Sequence, residues 1–249
     1  MSRLIDLETG TVLLVNKPIT WTSFDVTNKI KRLIQRNLNK AAEGVIIEKK
    51  KVKVGHAGTL DPLATGLLII CVGRETKNID KYMGMPKIYT GSFYLGATTP
   101  SFDKETAHNF EFSTIHINSE MIYRAALNFM GEQNQIPPIY SAIKKDGKRA
   151  YVSARAGEAI ALEPRKITIY SFEITEITLP IVYFKVVCSK GTYIRSLARD
   201  FGTALQSGAY LNSLCRTQIG DFSLKNALSL EEIAAELGET MEKNDRDLK

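Results

Sequence analysis

The apolar positions along the chain change their period several times, and each change marks an element. Residues 11–16 alternate weakly between apolar and polar and predict a strand. Thr22 and Asp25 then stand where a hydroxyl and an acid can cap a helix start, and Val26, Ile30, Leu33 and Ile34 recur behind them at helical spacing. Residues 67–72 form an unbroken apolar run ending at Gly73, which reads as a buried strand, and residues 88–95 predict another. Ile122, Ala125, Ala126, Phe129 and Met130 predict a helix after Ser119. Pro137 and Pro138 break the chain, Asp146-Gly147 marks a turn, and residues 150–156 predict a short helix. Residues 167–177 and 181–188 read as a hairpin. Ile194, Leu197, Ala198, Phe201 and Leu205 form the clearest helical stripe, and residues 211–219 return to a strand. Ser229 and Glu232 make a second capping box before a last helix. Strands and helices mix without a regular βαβ rhythm, so the class predicted is α+β with a largely antiparallel sheet.

Composition narrows this picture. The 249 residues are 44% hydrophobic and 24% charged, ordinary for a soluble globular chain and enough for a real core. No apolar run approaches the ~18 residues a membrane helix needs. Arg3, Asp6 and Glu8 are interspersed among the first apolar residues, unlike a secretion signal, so a cytoplasmic location is expected. Cys71, Cys188 and Cys215 are widely spaced and lie in apolar stretches, which predicts reduced, buried thiols. His56, His108 and His116 share no metal-ligand spacing, so no metal is expected.

The net charge of +6 is unevenly placed. Residues 29–53 hold nine Lys or Arg against Glu43 and Glu48, and residues 37–53 predict a mobile basic loop or insertion. Lys144, Lys145, Lys148 and Arg149 surround a single acid, Asp146, whereas residues 231–249 carry seven acids against three bases. Basic charge confined to segments suggests a polyanionic partner, although a solvated basic surface has the same composition.

The most unusual stretch is residues 55–66, where Gly55, Gly58, Gly66 and Pro62 bracket one acid, Asp61, just before the apolar run. Pro62 pushes Asp61 to extended dihedrals, and the glycines permit sharp turns, so the acid can project from a stiff loop. Taken alone, an Asp-Pro pair is more often only a turn. Further along, Tyr193 and Arg195 open the best helix; Arg195 can either cap a surface or hold a nearby carboxylate charged. Tyr89, on a predicted strand, can stack on a base or pack in a core.

In combination these segments resemble the bacterial tRNA pseudouridine synthase B (TruB) family over about residues 11–237. The resemblance rests on Asn16-Lys17-Pro18 with Thr22-Ser23, the loop at 55–66, residues 87–95 with Asp103, residues 135–142 from Gln135 to Ala142, and residues 188–195 ending at Arg195. It implies the pseudouridine synthase fold, α+β with flanking helices and a central active-site cleft. It implies conversion of the T-loop uridine at tRNA position 55 to pseudouridine without a cofactor. The family's catalytic aspartate falls on Asp61 and its arginine partner on Arg195. The tyrosine that stacks on the flipped uracil falls on Tyr89, a second active-site tyrosine on Tyr193 and an apolar wall residue on Leu214. His56 falls on the histidine that contacts RNA near the vacated base position. Lys17 takes a supporting place among the RNA contacts, and Lys144, Lys145, Lys148 and Arg149 fall in a thumb-like RNA-binding loop over residues 136–158. The partner implied is the tRNA T-arm stem-loop, with a monomeric enzyme and no membrane.

Two departures are visible. Residues 238–249 form an acidic tail where family members commonly continue into a PUA domain, and the basic insertion at 37–53 exceeds the usual connection. Lys49, Lys50, Lys51 and Lys53 are therefore expected to supply phosphate contacts. Three other readings fit parts of the chain: an RNA-binding module, a guide-RNA-dependent synthase, and a hydrolase using Asp61 as one acid of a pair. The first leaves the loop, arginine and tyrosine set unexplained. The second lacks its usual tails, and the third lacks a second distinctive acid.

Overall fold

The computed structural model describes residues 5–41, 52–141, 144–145, 148–149 and 162–241. They form two compact units: Met1–Met85 with Cys215–Lys249, and Pro86–Leu214.

The first unit is built on β3 (Thr65–Val72). Strand β1 (Thr11–Lys17) runs antiparallel to it from Thr11↔Val72 to Lys17↔Gly66. The other edge takes the short β2 (Val54–His56) antiparallel at the far end. Near its start that edge takes β12 (Ala209–Ile219) in parallel, through Cys215↔Thr65 and Arg216↔Gly66. The unbroken apolar run of β3 now has its explanation. Leu68, Ile70 and Val72 face a core shared with Val26, Ile30 and Leu33 of helix α1 (Ser23–Ala41) and Ile233 of helix α5 (Leu230–Glu236). Leu67, Ile69 and Cys71 face a second core with Tyr82, from helix α2 (Ile79–Gly84), and Ile219. A strand covered on both faces has no polar side to alternate with. Burial also pushes the Cys71 thiol up to about 12, with Glu75 adding to the shift, so it stays a protonated apolar group.

Both predicted capping boxes form. Asp25 and Thr22 satisfy each other's backbone N–H groups at 3.0 and 2.9 Å, and Ser229 and Glu232 do the same at 3.1 and 2.7 Å. One boundary is corrected. The predicted insertion at 37–53 begins too early, because α1 continues to Ala41. Leu38 packs on the core, Asn37 donates to the Leu237 carbonyl at 2.7 Å, and Lys40 pairs with Glu239 at 2.6 Å. These side-chain anchors let polar residues extend a helix that composition alone reads as a loop.

In the second unit, β4 (Lys87–Leu95), β11 (Ile181–Cys188), β10 (Arg165–Thr178) and β7 (Gly131–Gln135) lie side by side. Their pairings are antiparallel, as expected for the hairpin read over residues 167–177 and 181–188. Phe93, Phe172, Phe184 and Phe201 interlock with centroids 4.3–6.2 Å apart, joining the sheet to helix α4 (Ile194–Ala204). Helix α3 is Ser119–Asn128; Phe129 and Met130, predicted within it, follow it, and Met130 is exposed. The remaining pairs are β5 (Ala97–Thr98) with β6 (Phe110–Glu111), β8 (Lys144–Lys145) with β9 (Lys148–Arg149), and β13 (Phe222–Ser223) with β12 in the first unit. The short helix predicted at 150–156 lies outside the described residues.

Candidate active site

Asp61, His56 and Lys17 belong to the first unit; Tyr89, Tyr193, Arg195 and Leu214 belong to the second. In the first unit the loop between β2 and β3 presents Asp61, which is partly exposed. The Ala64 N–H closes a turn on the Asp61 carbonyl at 3.1 Å, with Pro62 at the second turn position that proline favours. Three side chains hold this loop by its main chain. Ser23 accepts from the Leu60 N–H at 2.8 Å and donates to the Leu60 carbonyl at 3.2 Å. Lys17 donates to the carbonyls of Pro18, Trp21 and Pro62 at 2.9, 2.6 and 3.2 Å. Arg216 donates to Leu67 and Gly58 at 2.8 and 3.0 Å, and reaches the Thr59 carbonyl at 3.5 Å. Gly66 adopts φ 100°, and a Cβ there would collide with the Arg216 main chain, so only glycine lets β3 and β12 approach at this point.

Lys17, expected among the RNA contacts, is fully buried and has one carbonyl for each ammonium proton. Its position supports the Asp61 loop from within. Burial pulls the ammonium down to about 8; the Asp61 carboxylate opposes that shift, Arg216 adds to it, and Asp25 opposes it. His56 lies on β2, its Nδ1 buried with no hydrogen-bond partner among the described residues. Burial, and then the charge of Arg216, hold its pKa below the usual imidazole value, which favours the neutral ring.

In the second unit, Arg195 occupies the first turn of α4 and is buried. Its guanidinium donates to the carbonyls of Ser101 and Tyr140 at 3.1 and 2.9 Å and lies 3.6 Å from Asp103. Asp103, itself buried, accepts from the Ser101 hydroxyl at 2.6 Å and the Glu105 N–H at 2.9 Å. Tyr193 sits at the N-cap of α4, and the Gln135 side chain clamps its backbone in both directions, at 2.8 and 3.1 Å. Tyr89 is buried on β4 and Leu214 is partly exposed on β12. Lys144 and Lys145 pair antiparallel with Lys148 and Arg149, while Asp146 and Gly147, predicted as a turn, lie outside the described residues. Lys53 is exposed, while Lys49, Lys50 and Lys51 lie outside the described residues.

Sequence reasoning missed Arg216 and the clamp by Gln135. Arg216 carried a signal: it is a lone guanidinium in the strand-like stretch 211–219, and a charge at a buried strand position demands partners. Gln135 stood out only as the first residue of the 135–142 motif, and its clamp on Tyr193 is read only from the backbone it meets. Among the described residues no cluster of His, Cys, Asp and Glu could hold a metal, and no helix is long and apolar enough to cross a membrane.

The α+β fold with its mixed, mostly antiparallel sheet is that of the pseudouridine synthase class. The family model described as TruB family pseudouridylate synthase (N terminal domain) matches residues 45–194. The tRNA pseudouridine synthase B of Flavobacterium johnsoniae is 56% identical over 221 residues, covering 89% of this chain and 93% of that protein. That of Bacteroides thetaiotaomicron is 44% identical over 247 residues, covering 98% and 99%. Among solved structures, a Cbf5-Nop10-Gar1 complex contains a chain of 27% identity and TM-score 0.67, and the archaeal box H/ACA sRNP Nop10-Cbf5 complex one of 26% and 0.63. Each comparison covers 92% of this chain, which spans only 56% and 54% of those two chains. The chain belongs to the TruB family of pseudouridylate synthases.

Proposed function

We propose that this enzyme isomerises the T-loop uridine at tRNA position 55 to pseudouridine, with Asp61 as the acting carboxylate. The observation that carries the reading is the Asp61 loop. Lys17, Ser23 and Arg216 lock its main chain while the acid itself stays partly exposed. Rigid presentation of one reacting group removes part of the entropic barrier.

The reaction breaks the N-glycosidic bond, turns the uracil, and joins C5 to the same sugar carbon, while C5 loses its proton and the freed N1 gains one. Product and substrate are isomers, so no redox partner is required. The base leaves its stack at a cost of a few kcal/mol, less in a loop than in a duplex. Tyr89 stacks on the extruded uracil, Tyr193 and Leu214 border it, and His56 meets the RNA where the base was. Asp61 attacks the sugar carbon or removes a sugar proton. The exposed Lys31, Arg32 and Arg36 on α1, with Lys53 and the paired strands at 144–145 and 148–149, provide positive charge for the phosphates.

The naming of the curated relatives favours tRNA as the substrate. The test uses an unmodified tRNA transcript and a T-arm minihelix, with pseudouridine mapped by chemical labelling and primer extension. A single new stop at the T-loop uridine in both RNAs is expected. No stop, or stops elsewhere alone, would overturn the assignment.

A further inference from the structure

Arg216 has a combination of properties that loop anchoring alone does not require. Arg216 is 1% exposed, and its guanidinium donates to three carbonyls, with no carboxylate beside it among the described residues. Those carbonyls belong to Gly58 and Thr59, which precede Asp61, and to Leu67, which follows it. One rigid planar group therefore ties the two ends of the loop together, with Asp61 between them in the chain. Arginine suits this task because its fork presents several donors in fixed directions, whereas a lysine presents one point. Its charge also acts on its neighbours, lowering the proton affinity of both Lys17 and His56.

We propose that Arg216 is a positioning residue: by fixing the distance between the two ends of the 58–67 loop, it sets where Asp61 stands and acts on the isomerisation step rather than on RNA affinity. The inference rests on the proposed role of Asp61. A displacement of about 1 Å at a reacting group can cost on the order of 100-fold in rate.

The test is single-turnover conversion of an unmodified tRNA transcript by the 249-residue chain, with binding of the same RNA measured separately. Arg216→Gln should lower the rate constant about 100-fold and change the Kd less than about 3-fold. Arg216→Lys, which keeps the charge and most of the stem, should recover part of that loss. A purely structural role predicts another pattern: a reduced amplitude from a smaller folded fraction, with the rate constant unchanged. That pattern would overturn the proposal, as would a change confined to Kd. If Arg216→Gln does not fold, Arg216→Lys carries the comparison alone, and unfolding of both would reduce Arg216 to a core residue and also refute it. The wild-type protein in the same assay separates this from failure of the functional reading, since an inactive wild type sinks that reading first.

Discussion

Asp61 and Arg195 are held by opposite strategies. In the first unit two cations are hidden beneath a partly exposed acid: Lys17 and Arg216 direct their donors at main-chain carbonyls of the loop that carries Asp61. In the second unit the arginine is itself the seated group, buried between the carbonyls of Ser101 and Tyr140 and the carboxylate of Asp103. The first arrangement fixes a backbone so that a side chain can be used. The second fixes a side chain directly, so its geometry depends on each partner. Substitutions near Asp61 should therefore divide into chemical and mechanical effects, whereas those at Arg195 should combine the two.

The largest effect expected is at Asp61. Asp61→Asn should lower turnover more than about 1000-fold with RNA affinity nearly unchanged, because the amide keeps the shape and loses the charge. Comparing turnover with filter binding checks this, and substantial residual turnover would refute the role. Arg195→Lys should cost on the order of 100-fold in kcat/KM, since one ammonium cannot span the partners of a fork. A rate near wild type would erase the contrast between the two regions.

Lys17→Met tests the mechanical side. Three carbonyls lose their donor, and about 3 kcal/mol of stability should go with it by denaturant unfolding. The pH dependence has a definite sign. The folded pKa of about 8 lies below the ordinary 10.5, so the unfolded chain binds more protons between these values. The contribution of Lys17 to stability is thus lowest below pH 8 and rises as pH climbs toward 10.5. The stability difference between wild type and Lys17→Met should widen from about pH 7 to about pH 9.5; a flat difference would contradict the burial that lowers the pKa. The smallest effect expected is at Ser23, where alanine removes both bonds to Leu60 and should cost about 1–2 kcal/mol, with a lesser effect on rate.

Legibility differed sharply among residues. Val26, Ile30 and Leu33 announced α1 by their spacing, and Thr22 with Asp25 announced where it starts. Its end was not legible, because Asn37 and Lys40 look like loop residues until Leu237 and Glu239 arrive to bind them. The singular loop around Asp61 stood out through its glycines and proline. The buried fate of Lys17 did not, since a lysine beside a proline reads as solvated until three carbonyls converge on it.

The sequence by itself determined the period of the longer elements, the two capped helix starts, and the loop that bears the acid, because those depend on contacts between near neighbours in the chain. Only the tertiary structure decided that Arg216 grips residues 58, 59 and 67, that Gln135 clamps Tyr193, and that Arg195 sits against Asp103. Such contacts join residues far apart in sequence, and a buried polar group declares its partner only once folding has removed the water it would otherwise bind.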